Sequence, residues 1–497
     1  MATVPDWGFC GPSYQAQSLV FDAERSVNLY PEPGYKSAKS GMALIGTPGL
    51  SLFCTLPTGP VRGLWVGNNR LFACGGTHVY EVSSAGAVLT DYGAIAGSTG
   101  SFRAVTFAHN GNQLLVMDPT CGGGGGGISG AIFNVNPAGP SCDFVFNGGA
   151  LTYLDTFFVA LSSTSNSQLN ISGPLDGTTW PGLDFVVRSG SADLCIQLEV
   201  LNGQLWIFGQ KTTELWYNAG NPLFPFARIQ GATLNIGLLA PRSVVKFSDN
   251  IMWLGGDEHG FGRVYMTKGT QAVPVSTPGI EAQLNAIFAA QGGTITYATS
   301  AVAYGEAGHE FYCLRPGGSA NNPTFVYDRS TNMWHERTSS PDGITENQWI
   351  VLSTAASPFF NVGMGIYNFA GSVNSGKIYK MGLGFTNEDG LSIIRTRTSP
   401  HISNSNRRMT YNSLAFDADI GTAQMVLDYS NDGARTFLGR NYNVPKAGTA
   451  AATGMDYYKI SQLGQSRDRV FKLKITDSAN QIALVNAYLD ATQGVEA

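Results

Sequence analysis

Short apolar runs, cut by tight turns of Gly, Asn and Asp, recur along most of this 497-residue chain. GLWVGNNRLFACGGTHVYEV (63–82) is the plainest case. Leu64, Trp65 and Val66 read as one strand, Asn68-Asn69 as a turn, and Leu71 to Ala73 as the return. Gly75-Gly76 turns again, and His78 to Val82 alternates as a third strand. Three strands joined by such turns form an antiparallel meander. Apolar spacing of helical period is almost absent, and a short helix is expected only over Ile280 to Ala290.

The meander returns in degenerate copies that begin near Val61, Phe102, Ala150, Val200, Val245, Tyr297 and Val351, about 41 to 54 residues apart. That spacing is close to the length of a four-stranded propeller blade. The expected fold is therefore all-β: a β-propeller of six or seven blades over 41–385 and a C-terminal β-sandwich-like domain over 386–497. An N-terminal arm or extended segment is expected over 1–40. FVYDRSTNMWHER (325–337) fits an outer blade hairpin, with Trp334 packed beneath the turn at Arg329 to Asn332. Consecutive sandwiches are the rival all-β reading. The boundary near Thr386 rests on charge. Residues 386–497 hold 12 Lys/Arg and 11 Asp/Glu, whereas the first 385 hold 18 and 24. Charge density roughly doubles at the junction, and the net charge passes from −6 to +1.

Charged residues make up 13% of the chain, about half the usual share. A surface so poor in charge is best covered by neighbours, as in an assembly subunit, although a monomer rich in Ser, Thr and Asn has the same composition. The net charge of −5 and the lack of a long basic run speak against a general nucleic-acid patch. The seven cysteines (Cys10, Cys54, Cys74, Cys121, Cys142, Cys195 and Cys313) are scattered and form no C-x-x-C pair. They read as buried small hydrophobes in a protein made in a reducing cytosol, with neither a disulfide framework nor a zinc site. MATVPDWGFCGPSYQ has no basic region followed by an apolar core, so no signal peptide is expected, and no run is long enough to span a membrane.

Chemistry-bearing motifs are few. SNDGARTF (430–437) matches an Asp-box, a structural hairpin turn. In it Asp432 accepts turn amides, Gly433 supplies positive φ and Phe437 packs beneath; Ser430 and Thr436 complete the pattern. Ala434 stands where such turns usually have glycine. The glycine run from Cys121 to Gly127 lacks the strand-then-helix setting and the G-K-[ST] of a phosphate loop, and reads as a flexible connection. GGDEHGFG (255–262) is the most catalytic-looking stretch, because Asp257, Glu258 and His259 are acid/base or metal-ligand types. Neighbours on an extended chain face opposite ways, however, so a polar hairpin loop is the simpler reading. HEFYC (309–313) departs from H-E-x-x-H at Cys313 and reads as a strand. Arg467, Asp468 and Arg469 follow a turn and suit either an intersubunit salt bridge or an internally paired turn. No catalytic, cofactor or metal residue is expected.

SVNLYPEPG (26–34), IGTPGLSLF (45–53), GPVRGLWVGNNRLFACGG (59–76), GTTWPGLDF (177–185), the long run 202–241, IMWLGG (251–256), VSTPGIE (275–281) and LGQSRDRVFKLKITD (463–477) together resemble the tail hub or nozzle proteins of short-tailed phages, the packaged-DNA stabilisation proteins. The matching segments keep their order from about residue 20 to residue 490. The resemblance implies a structural virion protein of the tail, made in the host cytoplasm and not an enzyme. It implies a homohexameric ring below the portal–adaptor complex that continues the DNA channel, helps retain packaged DNA and serves ejection. Needle or plug proteins and tailspike or fibre proteins would be further partners, and double-stranded DNA would pass without specific binding. Asn28 and Tyr30, within the N-L-Y-P-E element, would then seat the chain on a blade or on a neighbouring copy.

A propeller glycoside hydrolase or carbohydrate-binding module for host polysaccharide is the competing reading, kept open by the 20 Tyr and 8 Trp. It requires carboxylates that converge in the central funnel beside aromatic platforms.

Overall fold

Alternating apolar strands this short cannot bury both faces alone, so they must stack as layers. A computed structural model describes residues 3–4, 7–36, 38–95, 104–118, 130–135, 138–144, 148–162, 167–188, 190, 193–256, 262–292, 298–356, 367–449, 456–477 and 479–493. Seven antiparallel sheets follow one another along the chain, each running outward from an inner strand. The inner strands are Val61–Gly67, Thr106–His109, Gly148–Leu154, Cys195–Leu201, Val245–Lys246, Ser300–Glu306 and Val351–Ala356. The last of them packs against the first, which closes the ring as a seven-bladed propeller. The Asn68-Asn69 turn takes φ of 52° and 57°, the left-handed pair that a tight hairpin turn requires.

The ring is locked by its own beginning. Strand Gly49–Thr55 pairs as the outermost strand of the seventh blade, against Lys377–Gly382. A propeller closed in this way joins its first and last parts in one sheet. Each blade buries a layer of side chains against the next. Phe72 of the first blade meets Phe133 of the second, and Phe208 of the fourth meets Trp253 of the fifth. Helix Pro278–Ala290 starts with Thr277 capping the Ile280 amide and buries Ile280, Leu284 and Phe288 between the fifth and sixth blades.

The remaining strands form a sandwich of two sheets. One runs Leu29–Pro33, Met42–Gly46, Ala483–Gln493, Met409–Asp419, Asp456–Ser461 and Lys446–Thr449. The other runs Ala23–Val27, Ile393–Thr398, Asp468–Asp477, Gln424–Ser430 and Tyr442–Asn443. Leu414, Phe416, Leu473, Ile475 and Leu484 fill the space between them. The stretch expected as an arm thus supplies strands to both sheets. Ala23–Val27 also pairs with the sixth blade, where Val27 lies opposite Glu336, so that blade and the sandwich share one continuous sheet.

Buried arginines fasten this junction. Arg337 is fully buried, lies 3.9 Å from the Trp349 ring and donates to the Tyr304 hydroxyl and the Pro48 carbonyl. Arg397 donates to the carbonyls of Phe9 (2.6 Å) and Pro12 (2.9 Å) and so fixes the N-terminal segment on the second sheet. A guanidinium offers five donors in a planar fork, which suits several carbonyls of an irregular segment at once.

Candidate functional site: the propeller cavity and the loop end of the sandwich

Crowding near a propeller axis favours small and β-branched residues. The inner strands here supply Gly63, Val245, Ala301, Ala303 and Ser353, and Val105 stands just before the second of them. A Cβ on Gly63 would lie 2.5 Å from both Phe107 and Val105, so no larger residue fits. These strands surround a cavity of about 370 Å³. Arg62 reaches it but is tied to Asp118 at 2.6 Å, both buried. Arg242, also buried, crosses to the second blade and donates to the Thr106 hydroxyl at 2.6 Å. Glu199 is half-buried on the fourth blade; burial pushes its carboxyl up, opposed first by the Val200 amide that donates to it and then by nearby Lys246.

Arg242 therefore spans the cavity from the fifth blade to the second. Among the cavity's described lining residues Glu199 is the single carboxylate and Phe107 the single aromatic ring. A two-carboxylate hydrolase site is therefore not assembled there by the described residues. Asp257, Glu258 and His259 lie outside the described residues, between the paired strands Ile251–Gly256 and Arg263–Lys268, as does the run from Cys121 to Gly127. HEFYC begins strand His309–Arg315; His309 bonds Asp328 at 2.7 Å inside the blade.

Of the residues expected at contacts between copies, three lie inside the chain. Asn28 is 1% exposed and donates to the carbonyls of Thr338 (3.1 Å) and Ile394 (2.8 Å), while its side-chain oxygen accepts the Thr338 amide at 3.0 Å. Tyr30 is buried against His309 and Phe311. Arg469 is buried between Tyr411 and Tyr429, 4.3 and 4.2 Å from their rings, and donates to Leu463 and Asn431. Side chains enclosed by their own chain cannot touch a second copy, so the expectation is corrected for these three: they join strands of one chain. Asn28 does meet a blade, the sixth, through Thr338. Asp468 pairs with His401 at 2.9 Å, and exposed Arg467 donates to the Asn406 carbonyl.

In the 430–437 turn the Ser430 hydroxyl donates to Asp432 at 2.6 Å, and Asp432 accepts the Thr436 amide and hydroxyl. These bonds hold the Asp432 carboxyl well below its ordinary range. Gly433 has φ +73°, and Phe437 packs against Ala23, Ala434 and Val470. The same chemistry recurs where Asp176 accepts Thr178 and Thr179, and where Asp342 accepts Thr345. These are turn-fixing carboxylates.

Sequence reasoning missed the pairing of Arg242 with Thr106 and the exposed position of Arg407 and Arg408 at the loop end of the sandwich. The Arg pair stood in the open as SNSNRRMT, a turn followed by two cations. Nothing local marks Thr106, because its partner is 136 residues away.

A closed ring of seven blades with a sandwich stitched to it defines a β-propeller protein. The sequence places it further: the chain belongs to the phage stabilisation family described as bacteriophage P22 Gp10, beta-propeller, whose family model matches residues 10–354. That is a structural family of phage, concerned with stabilising packaged DNA, and it places the chain among virion components. No curated protein matches the sequence. Among solved structures, the chain is similar to the computationally designed Ika8 protein (12% identity, 66% of this chain and 99% of that one, TM-score 0.37). It is similar to the N-terminal domain of Nup159 (11% identity, 72% and 98%, TM-score 0.38). A third likeness is to the extracellular domain of a hybrid two-component system protein from B. thetaiotaomicron (6% identity, 67% and 39%, TM-score 0.42).

Proposed function

We propose that the chain is a tail nozzle or hub subunit: several copies, six in the expected ring, stand side by side below the portal–adaptor complex and enclose the DNA channel between them. The observation that carries this reading is the cavity crossed by Arg242. Its bond to Thr106 joins the fifth blade to the second across the centre of the ring, which supports reading the chain as the wall of a DNA passage rather than as the passage itself. Rigid closed blades suit a wall, because closure leaves few free strand edges. The excess of carboxylates on the propeller suits DNA that must leave again, since each cationic contact adds retention. In this reading the subunit catalyses no reaction. It is made in the host cytoplasm, takes its place in the virion tail, meets portal and adaptor above and needle or plug and tailspike or fibre proteins below.

Negative-stain electron microscopy of the purified chain, alone and mixed with a portal–adaptor complex, tests this. Rings, or new density capping the portal channel, are expected. A monomer that ignores the portal complex would overturn the proposal.

A further inference from the structure

Three loops meet at one end of the sandwich, distant in sequence. Ser430 lies opposite Val470 in the sheet, Met409 opposite Ser466, and Ser403 opposite Asp468, so the loops 404–408, 431–441 and 462–467 project together. Cross-links confirm the grouping: Arg469 donates to the Asn431 side chain and Arg467 to the Asn406 carbonyl. These loops expose Arg407, Arg408, Arg435, Arg440 and Arg467. The segment 18–21 joins them, because His401 contacts the Leu19 carbonyl at 2.7 Å and Val20 lies against Gly433. It adds Phe21, 77% exposed, and the neighbouring loop adds Leu438, 45% exposed.

Among the described residues four carboxylates stand near these five arginines: Asp432 is bound by its own turn, Asp468 by His401 and Asp428 by the Gly439 and Arg440 amides, while Asp22 closes the 18–22 turn, so the arginines still outnumber them. Exposed apolar residues set among arginines are the composition of a protein contact, in which Arg and aromatic residues are enriched. Phosphate binding would explain the arginines but not Phe21 and Leu438.

The propeller supplies the opposite charge. Residues 49–385 carry 15 Lys/Arg against 20 Asp/Glu, whereas the rest of the chain carries 15 of each. On the sixth blade, Glu306, Glu310 and His309 line an open recess of about 490 Å³, and Arg329 there pairs with Glu310 and with neighbouring Asp249. We infer that the arginine-bearing end of the sandwich docks on the acidic propeller of the next copy, at or beside this recess. The inference rests on the proposed ring and names its contact. Two different surfaces meet in it, and a contact of that kind builds a ring where its rotation closes, not a two-fold dimer.

The test uses the full chain in sedimentation velocity and electron microscopy, with R407E/R408E/R467E, with E306K/E310K, and with both sets combined. All substituted side chains are outside the cores, and thermal melts check that each variant folds. If the wild type assembles, each reversed set should weaken assembly by at least about tenfold, because like charges then face each other, and the combined chain should recover much of the loss. High salt should weaken wild-type assembly as well. Wild-type rings that persist unchanged in R407E/R408E/R467E would overturn the docking surface and leave the ring standing. A wild type that stays monomeric with and without the portal complex would overturn both. Loss of binding to a short DNA duplex, with assembly unchanged, would assign the arginines to phosphate instead.

Discussion

Arg242 Nη1 lies 2.6 Å from Thr106 Oγ1, although the two residues belong to blades three apart in the ring. The backbone carbonyl of Arg242 also accepts the Ala301 amide, so the side chain starts from a fixed point on the inner wall. It acts as a crossbar over the cavity. Replacing Thr106 by Val keeps the shape and removes the acceptor. Such a change at a charged hydrogen bond should cost about 1.5–3 kcal/mol, read by urea unfolding. Ring assembly should be unaffected, because the cavity is not the DNA passage in the proposed function. Assembly lost while the fold survives would contradict that.

Asn28 holds the second sheet of the sandwich to the sixth blade. Its backbone is left-handed, with φ +55°, and its amide donates to the Glu336 carbonyl. Asn28→Ala would leave the Thr338 amide and the Ile394 carbonyl buried without this partner, at about 1–3 kcal/mol for each orphaned group. Asn28→Gly relieves the backbone conformation but not the lost bonds, so its deficit should be smaller. Equal deficits in chemical denaturation would mean that the side-chain bonds alone matter.

His335 gives the propeller an acid limit. It is 1% exposed, faces Asp328, His309 and Arg337, and neither ring nitrogen has a hydrogen-bond partner among the described residues. Burial pushes its pKa from 6.5 down to about 3. Below pH 6.5 the unfolded chain takes up a proton that the folded chain refuses, so stability should fall by about 1.4 kcal/mol per pH unit towards pH 3. His335→Phe should flatten that limb. His309 has the opposite sign: its bond to Asp328 raises its pKa, so its contribution is complete below pH 6.5 and fades as pH rises through the raised value. His309→Gln should therefore cost more at pH 6 than at pH 9. A melting profile in which His335→Phe keeps the wild-type acid slope would sink the assignment.

The closing strand of the seventh blade is the point where ring closure can be weakened. Leu50 is fully buried among Tyr379, Met381 and Val351, while Leu52 on the same strand is 46% exposed. Leu50→Ala should cost about 2–5 kcal/mol. Leu52→Ala should stay within about 0.5 kcal/mol. Hydrogen exchange should show the first variant opening at Gly49–Thr55 and Lys377–Gly382 before other blades, and uniform opening would contradict a local latch.

Much of the fold was legible in local chemistry. The Asn68-Asn69 turn, the strands around it, the helix after Thr277 and the register of blades near Val61, Val245 and Val351 all follow from residue period and turn type over a few neighbours. Those signals act within one hairpin and survive any tertiary setting. The turn at Ser430 to Phe437 is local in the same sense: every bond of Asp432 is made within four residues.

What the sequence could not reveal depends on contacts between distant segments. Asn28 and Arg469 look like surface polar residues in a string of letters, because polar side chains are usually exposed. Folding brings Ile394 to Asn28 and Tyr411 to Arg469, and burial then becomes tolerable because each polar group meets a partner. The latch at Gly49–Thr55, the crossing of Arg242 to Thr106 and the gathering of five arginines at one end arise the same way. The strand pattern alone determined that this protein would be built from β-meanders. Tertiary closure decided which polar residues became internal fasteners and which remained outside, since only the closed ring and the stitched sandwich fix what surrounds each side chain.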